Sequence, residues 1–420
     1  MTDPIKYEQV NQLVSHLFRH EAGKMTAVLA RMFGFDRIEI AEDIVQDTLL
    51  KALNEWRRQI PDNPSAWLYR VAKNQAVDII RKEKNFSELS TELAYLAENE
   101  ANELNKMFLE NEIQDSQLRM LFACCHPAVS PESQITLSLK ILGGLSASEI
   151  ARAFLTTEDT INKRLYRAKE KLRNENIILE VPMANELAGR LETVLKIIYL
   201  IFNEGYSSAH PDQLIRHDLC EEAIRMGLLL TRNTLTDSPK TYALLALMCF
   251  QTARFPARLD DKGLIVLLKN QDRKLWDKFM LAKAYEFFSK STAGNEITEY
   301  HIEAAIASYH ASALTFEQTN WEVIFRLYNL LADIKPGPFV YLNRAIVRSY
   351  VSGARAALED LERLSDLNQH YLYQTAKGDF LLELKEYSAA KQCYEKALIL
   401  VESEPERKLL QQKLADIHKQ

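Results

Sequence analysis

Residues 145–171, LSASEIARAFLTTEDTINKRLYRAKEK, constrain the local fold more than any other stretch of the chain. Ser146 and Glu149 stand at capping-box spacing, and Thr156 or Thr157 can cap a second helix. Ile150, Ala151, Ile161 and Leu165 recur at helical intervals and would form the small core between two helices. The spacing predicts a helix, a tight turn and a second helix, the layout in which the second helix enters the major groove of duplex DNA. That helix continues as NKRLYRAKEKLR, 162–173, where Lys163, Arg164, Arg167, Lys169, Lys171 and Arg173 are set against a single acid, Glu170. A basic helix in a chain of net charge -6 points to an anionic partner.

The fold class follows from what is scarce. With 12 glycines and 12 prolines in 420 residues, the chain falls well below average usage of roughly 7% and 5%. Tight β-turns lean on those residues, so the expectation is an all-α protein of two to four domains. No run of about 18 apolar residues suggests a membrane helix, and MTDPIKYEQVNQ has no secretory pattern. Five cysteines, an odd number and mostly isolated, fit a reduced, cytoplasmic protein. The acidic total disfavours a free-standing DNA binder coated in positive charge, and suits a chain that meets DNA in places and protein elsewhere.

Four segments can be marked. Residues 8–83 should hold three or four helices. Within them IAEDIVQDTLLKALNEW, 40–56, places Val45, Leu49, Ala52, Leu53 and Trp56 on one face and Asp43, Asp47 and Asn54 opposite. PDNP, 61–64, breaks the chain, and Asn63 and Pro64 offer an N-cap and an N1 residue for the next helix. Residues 84–114, rich in Glu and Asn, read as a linker with some helical content carried by Phe86, Leu89, Leu93 and Leu96. A compact unit at 115–175 ends in the basic helix, and 185–420 is a run of amphipathic helices. There, Gly378, Leu381, Ala390, Tyr394 and Ala397 fall at the spacings of a tetratricopeptide hairpin, with Tyr394 filling the gap beside the small residues. A looser copy has Ala345, Gly353 and Leu358. An irregular helical bundle is the alternative.

Three surfaces could carry chemistry. On the second basic helix Glu158, Thr160, Lys163, Arg164 and Arg167 would face a DNA groove, where Arg and Lys reach guanine edges or phosphates. A hairpin with a solvated basic face is the plain alternative. In WLYRVAKNQAVDIIRKEK, 67–84, Asn74, Asp78 and Arg81 share a face with Arg70 and Lys73 nearby, a set able to hold unpaired bases and backbone phosphates. Trp67 and Tyr69 suit a core position as well as a stacking platform. Asp43, Gln46 and Asp47 form an acidic face without a histidine, which fits docking on a basic protein surface or mere solvation. Cys124-Cys125-His126 has poor geometry for one zinc, no metal site is expected, and no catalytic signature or cofactor loop is present. FNEGYSSAH, 202–210, and RLDDKG…NQDRKLW, 258–276, are dense in polar groups; a pocket lining and helix-capping loops fit them equally.

In this order, the pieces resemble a bacterial extracytoplasmic-function sigma factor of the sigma-70 family. AEDIVQDTLLKALNEW is similar to the region-2 helix that binds the β′ clamp helices of RNA polymerase, with Asp43, Gln46 and Asp47 in matching positions. WLYRVAKNQAVDIIRKEK is similar to the part of region 2 that captures the melted −10 element, and LSASEIARAFLTTEDTINKRLYRAKEKL to region 4, which reads the −35 element. LFACCHPAVSPESQITLSLKILGGLS, VLKIIYLIFNEGYSS, LLKNQDRKLWD and EAAIASYHASA resemble the subgroup with a long tetratricopeptide-like C-terminal extension. Two positions depart: Leu155 replaces the turn glycine of the wider family, and Thr156-Thr157 stand where the subgroup often has Val-Pro. The resemblance implies no catalysis, and partners in core polymerase (β′ clamp helices and β flap) and promoter DNA; the size of the extension, more than half the chain with no catalytic motif, points to a built-in regulator or partner platform open to a protein or small-molecule regulator. The rival reading is a one-component helix-turn-helix regulator with a helical-repeat sensor.

Overall fold

The computed structural model describes residues 4–85, 107, 109–154, 156–207, 214–364 and 367–417. Among them every regular element is helical, apart from one isolated bridge between Leu259 and Ile265. The linker stripe Phe86, Leu89, Leu93 and Leu96, and the turn residue Leu155, lie outside the described residues. The chain divides into two compact units, Met1–Leu200 and Ile201–Gln420.

The first unit is organised around α1, Pro4–Phe33. Its buried Met25, Val28 and Leu29 meet α2 (Ile38–Glu55), α3 (Pro64–Asn85) and α4 (Glu110–Cys124). The apolar face read from α2 is where the core needs it: Val45, Leu49, Ala52 and Trp56 are buried. Helix α3 starts as its sequence dictates, with Asn63 Oδ1 accepting from the Ala66 amide at 3.0 Å. Helix α5 (Pro131–Leu137) runs into a π-helical turn, Ser138–Leu142. That turn presses on α1 at Gly23, where a Cβ would lie 2.2 Å from the Leu142 carbonyl oxygen. No other residue type lets α1 come so close.

Helices α6 (Ala147–Ala153) and α7 (Glu158–Asn174) follow. The capping box is complete: the Glu149 amide donates to Ser146 Oγ at 3.1 Å, and the Ser146 amide to Glu149 Oε2 at 2.8 Å. Thr157 caps α7, its Oγ1 accepting from the Thr160 amide at 3.2 Å. Ile150, Ala151, Ile161 and Leu165 are buried between the two helices, as the spacing predicts. The first unit ends on helix α8, Ala184–Tyr206, within which the division falls.

In the second unit α10 (Pro239–Thr252) is apolar on every side and buried from Ala243 to Phe250, the pattern of a helix enclosed by others. It packs against α9 (His217–Leu230), α12 (Lys278–Ser291) and α13 (Glu299–Ser312), with the short α11 (Phe255–Arg258) before α12. Helices α14 (Trp321–Ile334), α15 (Pro338–Ser352), α16 (Ala354–Glu362), α17 (Tyr371–Glu383), α18 (Tyr387–Leu400) and α19 (Glu404–Ile417) follow, each packed on the next in chain order. The repeat spacing has its stated cause. A Cβ on Gly378 would lie 2.6 Å from the Tyr394 ring, so the glycine admits the tyrosine between α17 and α18, and Ala390 and Ala397 are fully buried beside it. In the looser copy Gly353 joins α15 to α16 at a φ of 84°, a left-handed conformation.

Candidate nucleic-acid interface

Helix α7 divides its positive charge between two tasks. Thr160, Lys163, Arg164 and Arg167 line, with Ser133 and Asp159, a shallow hollow of about 350 Å3 on the outer side of the helix. Glu158 is exposed one residue after the N-cap. Lys163 is tethered to Asp159 at 2.6 Å, an exposed pair of the kind worth only about 0.3–0.5 kcal/mol and easily exchanged for a phosphate. Lys169 and Arg173 face the other way. Lys169 Nζ lies 2.6 Å from Glu42 of α2, while Arg173 donates to both carboxylate oxygens of Glu39 and to the Asp36 carbonyl oxygen. Lys171 pairs with Glu175 at 2.7 Å. The sequence groups six cations as one basic face; the fold leaves three of them to the hollow.

On α3 the exposed face carries Arg70, Asn74, Asp78 and Arg81, and Lys73 is half-buried beside it. The two aromatic residues are otherwise engaged. Trp67 sits edge-on to the buried Trp56, ring centroids 5.3 Å apart. Tyr69 donates its hydroxyl to Glu21 Oε2 at 2.5 Å, and burial, helped by that carboxylate, holds its pKa well above the usual tyrosine range. Of the two readings for these rings, the structure supports the core one.

Asp43, Gln46 and Asp47 form an uninterrupted exposed strip on α2, and no hydrogen bond or ion pair engages them among the described residues. Leu50, which sequence reasoning missed, extends the strip and is 56% exposed. Its only signal was an apolar residue on the polar side of an amphipathic helix. Below it Val14, Phe18, Leu49 and Leu53 line a hollow of about 680 Å3. Tyr166, 66% exposed on α7 between Lys163 and Arg167, was missed in the same way.

Cys124 and Cys125 are both buried, and Cys125 Sγ lies 3.8 Å from Ser138 Oγ. Burial pushes the Cys125 thiol up to about 12 and Cys124 well above its ordinary value, so both stay protonated. His126 Nδ1 accepts the Ala128 amide at 3.1 Å. All three serve local packing. No described helix is long and apolar enough to cross a membrane.

The polar segments of the second unit answer to both readings left open. Arg258 donates to the Tyr206 carbonyl oxygen, and Arg273 to those of His310 and Ala313, so each closes the C-terminal end of a helix. Residues between them line a groove. Ser208, Ala209 and His210 of the first segment lie outside the described residues.

Sequence comparison agrees with this geometry. Family models match Sigma-70 region 2 at residues 17–86, Sigma-70 region 4 at 119–172, and a family of unknown function (DUF6596) at 190–292. An uncharacterized protein of Rhizobium meliloti (strain 1021) is 37% identical over 384 residues, 90% of this chain and 90% of that protein. The ECF RNA polymerase sigma factor SigW of Bacillus subtilis (strain 168) is 29% identical over 166 residues, 36% of this chain and 82% of that protein. No solved structure matches. With regions 2 and 4 in order on one all-α chain and further helices after them, the chain belongs to the sigma-70 family as an extracytoplasmic-function sigma factor with a C-terminal extension.

Proposed function

We propose that this sigma factor brings core RNA polymerase to its promoters through three separate surfaces. The α2 strip Asp43, Gln46 and Asp47 docks on the β′ clamp helices, while the β flap receives region 4. The α3 face of Arg70, Lys73, Asn74, Asp78 and Arg81 holds the melted −10 strand. The α7 set Glu158, Thr160, Lys163, Arg164 and Arg167 reads duplex −35 DNA. The functional divisions are residues 8–83, the linker 84–114, residues 115–175, and the extension 185–420, which we take to be a built-in regulator or partner platform.

The observation that carries the reading is the exposure of the α2 strip on a match to region 2, beside a basic hollow on a match to region 4. An acidic strip suits a basic protein surface, and a hollow lined by Arg164 and Arg167 suits phosphate and guanine edges. The test is co-purification with core polymerase followed by run-off transcription on genomic promoters. Stable association and promoter-dependent transcripts are expected. A chain that fails to join polymerase, yet binds duplex operators tightly by itself, is instead a one-component regulator. Deleting residues 181–420 tests the extension separately: transcription and its regulation unchanged by the deletion would remove the regulatory role.

A further inference from the structure

The second unit contains an open groove of about 820 Å3. One wall is built from alternate helices of the hairpin array, α15, α17 and α19; the other is the non-helical segment Leu264–Leu267. We propose that this groove binds an extended peptide that carries a basic side chain among apolar ones. The proposal deepens the reading of the extension as a partner platform and rests on it for biological meaning, though not for the binding itself.

Three observations specify the ligand. The first is an open backbone edge. The Asp260 amide donates to the Leu264 carbonyl at 2.9 Å and the Val266 amide to that of Arg258 at 2.8 Å, so the inner edge of the segment is paired. Groups alternate in direction along an extended chain, which turns the Ile265 amide and carbonyl to the opposite edge. Neither they nor the Leu267 amide take a hydrogen bond among the described residues. An incoming extended chain can pair there as an added strand, a recognised mode of peptide capture.

The second observation is unused amide chemistry on the helical wall. Asn343 of α15 and Gln412 of α19 face the groove, and neither side chain makes a hydrogen bond among the described residues. A carboxamide donates and accepts at once and so matches a peptide group whatever the side chain. Leu342, Ile346 and Leu372 supply apolar floor between them.

Charge is the third. The lining carries Asp260, Asp379, Glu383 and Asp416 against Lys269 and Lys413, and Lys413 is already committed to Asp379, which also accepts from the Tyr394 hydroxyl. Glu383 is exposed and has no partner among the described residues. The excess is negative, and the carboxylate left over favours a lysine or arginine on the ligand.

The test uses the full-length chain, immobilised and offered a phage-displayed library of random linear peptides. Selected sequences should combine Lys or Arg with apolar residues. A synthetic selected peptide, followed by fluorescence anisotropy, should bind at least about tenfold more weakly to Glu383→Lys and to Asn343→Ala, both exposed positions whose variants should melt as wild type does. N-methylation at alternate peptide positions should abolish binding, because it removes donors to the strand edge. Selection of acidic peptides, indifference to both substitutions, or self-association of the chain that the same substitutions dissolve would each overturn the proposal. Promoter-dependent transcription by these variants is scored separately. Peptide binding lost while transcription is unaltered supports the groove as a peptide site and removes only its regulatory role.

Discussion

Lys169 of α7 and Glu42 of α2 form a largely buried ion pair, 2.6 Å long and 14% and 21% exposed, that ties the basic helix α7 to the helix bearing the exposed acidic strip. Arg173 and Glu39 reinforce it at 2.8 Å. Promoter elements centred near −10 and −35 lie roughly 85 Å apart at 3.4 Å per base pair. On the proposed assignments of α3 to the −10 element and α7 to the −35 element, α7 has to leave α2 when both elements are held at once. Glu42→Gln removes the negative charge and one of the two acceptor oxygens and leaves Lys169 poorly paired, at a cost of about 1–3 kcal/mol to the packing of α7 on α2. Isolated Glu42→Gln protein should bind −35 duplex up to about tenfold more tightly in an anisotropy titration at fixed salt. Equal affinity would mean that α7 is already available in the wild type.

Asp47 lies one turn from Asp43, and both side chains are exposed with no hydrogen bond or ion pair among the described residues. Truncation there removes charge without opening a cavity. Asp47→Ala should weaken core polymerase binding about tenfold in a competition assay, with thermal unfolding unchanged. Unaltered competition would move the docking surface elsewhere.

Arg164 is half-exposed and lines the α7 hollow with Thr160 and Arg167. If it contacts a base, Arg164→Ala costs about 1–3 kcal/mol at −35 sites and relaxes preference at one base pair. Binding measured across single-base variants of the site separates this from a phosphate contact, for which the loss would be uniform and the salt dependence shallower.

Gly23 faces the π-helical turn at Leu142, and a methyl group there would meet a backbone carbonyl rather than a flexible side chain. Gly23→Ala would raise intrinsic helix propensity in α1, yet overpacking should prevail, destabilising the first unit by about 1–3 kcal/mol. Chemical denaturation measures it, and a stabilised variant would show that the approach is looser than 2.2 Å implies.

Features written in adjacent residues were legible. The Ser146–Glu149 box, the Asn63 cap and the fit of Tyr394 to Gly378 depend on residues at most 16 apart in the chain, and spacing alone displays them. What spacing hides is which partner a charge finds at long range. Lys169 and Glu42 are 127 residues apart, so the sequence merged α7's inward and outward cations into one face. For the segment holding Arg258 and Arg273, pocket lining and helix capping stayed equal readings because the helix ends these arginines close lie 52 and 37 residues away. Leu50 and Tyr166 were hidden for another reason: an apolar side chain in a helix reads as core until neighbours fail to cover it.

His310 gives the second unit an acid-sensitive point. Its ring lies 5.4 Å from Trp321, its Nδ1 is buried without a partner, and burial, with Arg254 and Arg273 nearby, lowers its pKa to about 3. An unfolded chain protonates this histidine near pH 6.5, while the native state resists until about pH 3. As pH falls through 6.5 the unfolded state gains a proton that the native state refuses. The contribution is therefore fully present above pH 6.5 and is lost progressively toward about pH 3. Between pH 7.5 and 5.5 the wild type should lose roughly 1 kcal/mol more stability than His310→Phe, whose ring cannot titrate. Urea unfolding at both pH values checks it. Parallel losses in the two proteins would show that His310 is protonated in the native state, contrary to its buried setting.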